Sequence, residues 1–341
     1  YFEHFPDTER RPCNVGSPLL VDTHGALVTP EGQVVFNYEY CGTVKLDRCG
    51  DVVWTVDEWT HHSLTRSEEG GFWVLGRSGW IAGDDPERFP PFSEQWPSAK
   101  IVEDKIMHVG DDGAVLEAKS IPAVMRQNGL GALLTATGRI FGRRGYVDQE
   151  IVHSNKVAEL PSDIADAFPL FEAGDLAISL RDLNLIFVVD PDSWKVKWHR
   201  TGPWVRQHDP EFRADGILSV FNNNVYHTAY AGIRNREVDL ETPFTTNIIT
   251  VDPVTGATEV VFGEAPGEEM LSVIRGQHEL LEDDGILITE FDAGRVLEVD
   301  GERRIVWEYV NRYDEEYVGE ISNAALYPEG YFESAWRECP R

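Results

Sequence analysis

One sequence unit recurs along this chain, and repetition at a period of about 40–50 residues restricts a chain to solenoids, propellers or arrays. The unit has a turn glycine, a short apolar strand, a second strand ending near Asp, and a Val/Ile-containing strand ending in Trp. In the clearest copies Gly32 opens Gln33-Val34-Val35-Phe36 and Asp51-Val52-Val53-Trp54 closes the unit. Gly174 likewise leads to Trp198, and Gly285 leads to Trp307. The glycine-to-tryptophan spacings are 22, 24 and 22 residues. Weaker copies start at Gly71, Gly216 and Gly330. Six copies predict an all-β fold, a six-bladed β-propeller formed by residues 1–341 as a single domain. Loop insertions are expected near 80–104, 120–135 and 224–245, with a helix from Ile121 to Leu134. The Gly330 copy has too little chain to finish its sheet. The segment Ser17-Pro18-Leu19-Leu20-Val21 is therefore expected to pair with that last blade and close the ring, which hides sheet edges.

Composition narrows the partners. The 341 residues include 59 acidic and 30 basic side chains, a formal net charge of −29. Phosphate contacts dominate nucleic-acid affinity, so this field repels nucleic acid and anionic membranes, and neither is expected as a partner. No apolar run approaches the roughly 18 residues of a membrane span. An anionic substrate would need a local basic pocket. Four cysteines fit either oxidised pairs or buried thiols. Cys41 and Cys49 flank a stretch suited to two strands running side by side, and a Cys13–Cys339 bridge would staple the propeller shut. Oxidised pairs, with a chain that begins at Tyr1, fit a mature periplasmic or secreted product.

Histidines mark the start of several units. His62 precedes Gly70 by 8 residues, His208 precedes Gly216 by 8, and His278 precedes Gly285 by 7. His153 belongs to the same series, with an insertion before Gly174. Each histidine starts an innermost strand, and the second strand returns to the same end about seven residues beyond the glycine. Those return positions are Arg77, Arg181, Asn222 or Asn223, and Asp292. His62, His153, His208 and His278 are thus expected at one end of a channel, with Arg77 and Arg181 nearby. His61 should point to the opposite face of its strand from His62. His4, His108, His199 and His227 fall outside the register. A single such histidine more often caps a strand; four in register favour a site.

These segments resemble the bacterial arylsulfate sulfotransferases. Trp59-Thr60-His61-His62 is similar to the family's first histidine segment. His153-Ser154-Asn155 is similar to its His-x-Asn, Ser179-Leu180-Arg181 to its Ser-x-Arg, and Gln207-His208 to the segment bearing its nucleophile. The resemblance runs from His62 to Tyr309 and implies a six-bladed propeller that moves a sulfuryl group between phenols. It implies that His208 is the nucleophile, that Arg181, His153 and Asn155 hold the sulfuryl oxygens, and that His62 shuttles a proton. The Asp209-Pro210 that follows His208 departs from the family pattern, and His278 has no role in that mechanism.

The residue types suit this chemistry. Neutral imidazole is a competent nucleophile, since its ordinary pKa is about 6.5. Arginine presents a planar fork of donors to tetrahedral oxyanions. Arg77, Asn223 and His61 are expected to line the substrate site, and Trp73, Trp80 and Trp204 are candidates for stacking on an aromatic acceptor. The expected partner is a small anionic or aromatic substrate, with no cofactor. A second reading gives His62, His153, His208 and His278 to a transition metal, serving a lyase, oxygenase or hydrolase on the same scaffold. A third makes the propeller a non-catalytic binding platform.

Overall fold

The computed structural model describes residues 23–85, 87, 93–94, 97–135, 149–225, 246–281, 284–332 and 339. They form five sheets, each built on four consecutive strands paired in chain order, the pattern of β-propeller blades. The first sheet holds β1 (Thr23–Val28), β2 (Val34–Tyr38), β3 (Gly42–Leu46) and β4 (Val52–Val56). The second holds β5 (His61–Arg66), β6 (Phe72–Ile81), β7 (Lys100–Val109) and β8 (Val115–Ser120), and the short β9 (Gln149–Glu150) runs parallel to β7. The third holds β10 (Ser154–Glu159), β11 (Leu176–Leu180), β12 (Leu185–Val189) and β13 (Val196–Thr201). The fourth holds β14 (His208–Phe212), β15 (Leu218–Asn222), β16 (Asn247–Val251) and β17 (Thr258–Phe262). The fifth holds β18 (Gln277–Leu280), β19 (Ile286–Glu290), β20 (Arg295–Val299) and β21 (Ile305–Val310).

The all-β propeller expectation holds, but the described residues form five blades, not six. The copy at Gly330 makes no strand among the described residues. Its chain meets β1 through side chains instead: the Val28 N–H donates to Tyr327 Oη at 3.0 Å, and Tyr331 Oη donates to the Val28 carbonyl at 2.8 Å. The fifth blade is completed by consecutive strands from 277 to 310, so it lacks no strand for an N-terminal segment to supply. Residues 17–21 lie outside the described residues.

Chain packing separates two compact units. Unit 1 comprises residues 1–157, 191–196 and 327–341; unit 2 comprises 158–190 and 197–326. In unit 1, Val35, Trp54 and Val56 of the first blade pack on Phe72, Val74, Met107 and Val109 of the second. Trp54, the closing tryptophan of its repeat, wedges between the two blades, and its Nε1–H donates to the Asp111 carbonyl at 2.8 Å. Gly113 sits at φ +85°, and a Cβ there would stand 2.7 Å from the Trp54 ring, so only glycine fits. In unit 2, Ala177, Ile186 and Val188 of the third blade meet Phe212, Leu218, Val220, Ile249 and Val251 of the fourth. Phe221, Ile248 and Phe262 of the fourth then meet Ile286, Ile288, Leu297 and Val299 of the fifth.

This face-to-face packing explains the strand sequences. Middle strands such as β11, β12, β15, β16 and β19 are buried along their whole length, so they read as mostly apolar runs with a few buried polar residues among them. Fourth strands are more exposed, apart from Trp54 and Val56 of β4: β21 is open almost throughout, and Trp307 there stacks on Tyr309. Burying a large apolar side chain contributes roughly 1.5–3 kcal/mol. The faces between blades therefore carry the stability, and an open outer strand such as β21 contributes little.

β6 and β7 stay paired from Phe72↔Val109 to Ile81↔Lys100, so the first inserted loop is confined to residues 82–99. The predicted helix begins at its expected place but is shorter: α1 (Ile121–Gln127) is capped by Ser120 Oγ, which accepts from the Ala123 N–H, and a 3-10 turn covers Gly131–Thr135. The third insertion falls mostly on residues 226–245, outside the described residues. No helix among the described residues is long and apolar enough to cross a membrane.

The expected Cys13–Cys339 bridge is not the one formed. Cys339 bonds Cys49, with Cα atoms 5.5 Å apart. Cys41 and Cys49 sit beyond opposite ends of β3, and a strand rising about 3.4 Å per residue keeps such positions too far apart to bond each other. Cys41 is disulfide-bonded as well.

Candidate active site

Irregularities at the starts of the inner strands set the geometry. β1 has a bulge between His24 and Ala26, with Gly25 at φ +61°. β5 has one between His61 and Leu64, with His62 at φ +55°. β14 has one between His208 and Pro210, with Asp209 at φ +53°. A bulge breaks the two-residue alternation of a strand. This overturns the expectation that His61 and His62 face opposite ways: their Nδ1 atoms are 2.8 Å apart. Non-glycine residues in the left-handed region are held there by their surroundings and cluster at functional sites.

Unit 1 gathers His24, His61, His62 and His153 among carboxylates. The His24 and His62 rings are 4.4 Å apart, and those of His62 and His153 are 5.0 Å apart. Arg77 lies buried behind them. Its Nε donates to Asp104 Oδ1 at 2.8 Å and its Nη1 to Glu150 Oε1 at 2.6 Å. Nη2 is 3.3 Å from His153 Nδ1, which also hydrogen-bonds Glu150 Oε2. Tyr40 covers the guanidinium, with its ring centre 4.7 Å from Arg77 Cζ. His61 Nε2 is 3.3 Å from Asp104 Oδ1. Burial would raise the Asp104 pKa, but Arg77 and then His61 outweigh it and hold the carboxyl at about 2. Burial pushes the His61 pKa down, with Arg77 adding to the shift. Burial likewise pushes the Tyr40 hydroxyl up.

Arg77 is thus where its spacing placed it, beside His153, but it is the centre of an ion-pair network. Asn155 is also buried in this unit. His108, expected outside the register, lies on β7, stacks on Trp73, and bonds the Gly70 carbonyl through Nε2.

Unit 2 holds His208, His278, Arg181 and Asn223; His208 faces neutral acceptors, while Arg181 and His278 meet the carboxylates of Asp182 and Asp209. His208 Nδ1 is 2.7 Å from Asn223 Oδ1 and 3.2 Å from the Arg206 carbonyl. The Asn223 amide is oriented by its Nδ2, which donates to the Ser272 and Arg275 carbonyls at 2.9 and 2.8 Å. Both neighbours of Nδ1 are acceptors, so Nδ1 carries the hydrogen and Nε2 keeps the lone pair. Gln207 ties this strand to β11 and β12, donating from Nε2 to Ser179 Oγ at 3.0 Å and to the Leu185 carbonyl at 3.1 Å. Arg181 Nε donates to Asp182 Oδ1 at 3.1 Å, and Arg206 Nη1 is 3.6 Å from the same oxygen. Trp204 is fully buried with its Nε1–H on the Asn184 carbonyl, a core position that leaves no face for a substrate.

His278 has a structural occupation. Its Nε2 is 2.7 Å from Ser219 Oγ, and its Nδ1 is 3.2 Å from Asp209 Oδ2. Its backbone N–H donates to the same Asp209 oxygen at 2.6 Å. Nδ1 and the backbone N–H together hold Asp209, the bulge residue next to His208, while Nε2 is taken by Ser219.

The family profile described as Arylsulfotransferase (ASST) matches residues 18–312. The chain belongs to the arylsulfotransferase family. Its blades thus carry the family's fold on five repeats among the described residues. No curated protein matches the sequence. A solved protein of unknown function from Bacteroides caccae is 11% identical, with a TM-score of 0.50 over 85% of this chain and 81% of the other, a likeness of fold. A catalytically inactive virginiamycin B lyase from Staphylococcus aureus, solved with quinupristin, is 12% identical and covers 86% of this chain and 71% of its own, with a TM-score of 0.46.

The histidine that the spacing argument missed is His24. It precedes Gly32 by 8 residues, the spacing that marked His62 and His208, so the signal was present. Glu39, Asp104 and Glu150 were also missed. Asp104 stands directly across the β6–β7 ladder from Arg77, a pairing visible only once β7 is known to be a strand.

Proposed function

We propose that this protein transfers a sulfuryl group from an aryl sulfate to a phenol through His208. The observation that carries the proposal is the fixed tautomer: Asn223 Oδ1 and the Arg206 carbonyl take the Nδ1 hydrogen, which presents the Nε2 lone pair as the nucleophile. Nε2 attacks sulfur, the S–O(aryl) bond breaks, and the phenolate leaves with its electron pair and takes a proton. The acceptor phenol then gives up its proton, its oxygen attacks the sulfohistidine, and the N–S bond breaks to restore the neutral imidazole. Arg181 supplies positive charge to the sulfuryl oxygens. The family resemblance also implies oxygen contacts from His153 and Asn155 and a proton transfer by His62; these residues belong to unit 1, and the proposal rests on the unit 2 residues. His278 is a positioning residue that acts on Asp209.

The test is intact-mass analysis of the protein incubated with 4-nitrophenyl sulfate, without and then with a second phenol. One sulfuryl group should be added and should disappear when the acceptor is supplied. His208→Ala, checked for native near-UV circular dichroism, should form no adduct. Absence of both adduct and phenol exchange across several aryl sulfate donors would sink the proposal.

A further inference from the structure

The histidine outside the family reading, His24, points to a second site. We infer that His24, Glu39 and His62 form a binding site for a divalent transition-metal ion, which shares His62 with the roles the family resemblance implies but does not depend on the sulfuryl-transfer chemistry. Each residue offers one ligand atom, and the three atoms lie within 4.8 Å of one another. The Glu39 carboxylate is shared between the two rings: Oε2 is 3.6 Å from His24 Nδ1 and Oε1 is 3.9 Å from His62 Nδ1. Metal–ligand bonds of about 2.0–2.2 Å put neighbouring ligand atoms roughly 3–3.5 Å apart. The set closes on an ion by small movements of its side chains.

The backbone builds this convergence. Gly25 is at φ +61°, and a Cβ there would stand 2.2 Å from the His62 carbonyl oxygen. Any other residue would therefore push β1 away from β5 and separate the two rings. His62 is itself left-handed, and its carbonyl accepts from Asn37 Nδ2 at 2.9 Å. Asn37 Oδ1 is fixed in turn by Thr43 Oγ1 at 2.7 Å. Ligands held this way lose little freedom when an ion arrives. His62 Nδ1, the nitrogen that faces Glu39, also lies 2.8 Å from His61 Nδ1, a contact that an ion bound at Nδ1 would replace.

The donor set defines the ion. Two imidazoles and one carboxylate suit zinc, cobalt or ferrous iron and leave coordination positions open; magnesium and calcium take oxygen donors. Of the four histidines that their spacing offered to a metal, only His62 is shared with this set. His278 is engaged by Ser219 and Asp209.

Titration of chelator-treated full-length protein with Co²⁺ tests the site, followed by visible absorption and by elemental analysis after dialysis. One Co²⁺ per chain is expected, with ligand-field bands of a nitrogen–oxygen site. His24→Ala and Glu39→Gln should each weaken binding roughly a hundred-fold. His24→Asn serves as the conservative variant should alanine disturb the fold, which near-UV circular dichroism reports. His208→Ala should bind Co²⁺ as wild type does, although it forms no sulfuryl adduct. Lack of Co²⁺ binding at millimolar concentration, or binding unchanged in the folded His24 and Glu39 variants, would overturn the inference and leave the His208 chemistry unaffected.

Discussion

The inner strands of the two units carry histidines at matching points of the repeat, yet the partners differ in kind. In unit 1 the rings face Glu39, Asp104 and Glu150. In unit 2 His208 faces an amide oxygen and a backbone carbonyl. A carboxylate favours the imidazolium or a bound cation, whereas a neutral acceptor fixes a tautomer and leaves the ring uncharged. The repeat therefore sets where a histidine stands, and residues from other strands decide what it can do. Asp209 and His278 show the limit of this rule, because there the carboxylate clamps the bulge beside the nucleophile.

The carboxylate side of this contrast breaks most severely at Arg77. Arg77→Met would leave Asp104 buried without its cation, a loss of about 3–5 kcal/mol. Urea unfolding should show it as a lower midpoint at unchanged slope. A second substitution moves one unit's electrostatics into the other. Asn223→Asp gives His208 a carboxylate partner, favouring the protonated ring. Its transfer rate at pH 6 should fall roughly 10–100-fold below wild type and below that of Asn223→Ala, with the two variants converging as pH rises. Equal rates at every pH would show that the charge of the partner is immaterial.

Smaller effects sharpen the comparison. His278→Ala keeps the backbone hydrogen bond to Asp209 but loses the ring, so sulfuryl transfer should drop about tenfold with little change in KM for the aryl sulfate. The last effect concerns pH. Burial lowers the pKa of His61 in the folded state, so below its ordinary value of 6.5 the unfolded chain takes up the proton that the fold resists. Stability falls as pH falls through that value. Asp104, held at about 2 against an ordinary 3.8, adds a further loss in stronger acid. His61→Asn should make the decline in Tm between pH 7 and pH 5 shallower.

Much of this was legible in the sequence because repeats state the same instruction several times. The blade unit, the turn glycines and the series His62, His208, His278 follow from spacing, and His153 from its place between them. The miscounted blade has a plain cause: Gly330 offers the turn signal, but the chain around it contacts β1 through two tyrosine hydroxyls. Bulges explain the error at His61, since alternation is a property of regular strands. The disulfide partner and the carboxylates around Arg77 come from residues far apart in sequence, and no local pattern encodes such meetings. Asp104 pairs with Arg77 across 27 positions and Glu150 across 73.

The Cys49–Cys339 bond spans 290 residues. It converts most of the chain into a covalent circle, so the polypeptide between those cysteines has no free end to peel from. A protease that cuts this circle once yields a linear molecule still in one piece, and release of a fragment requires a second cut or a reductant. In the chain-entropy account a loop of about 100 residues already contributes roughly 4.7 kcal/mol, and a longer loop contributes more. Reduction should therefore act on this protein less as the loss of one contact than as the return of two loose ends.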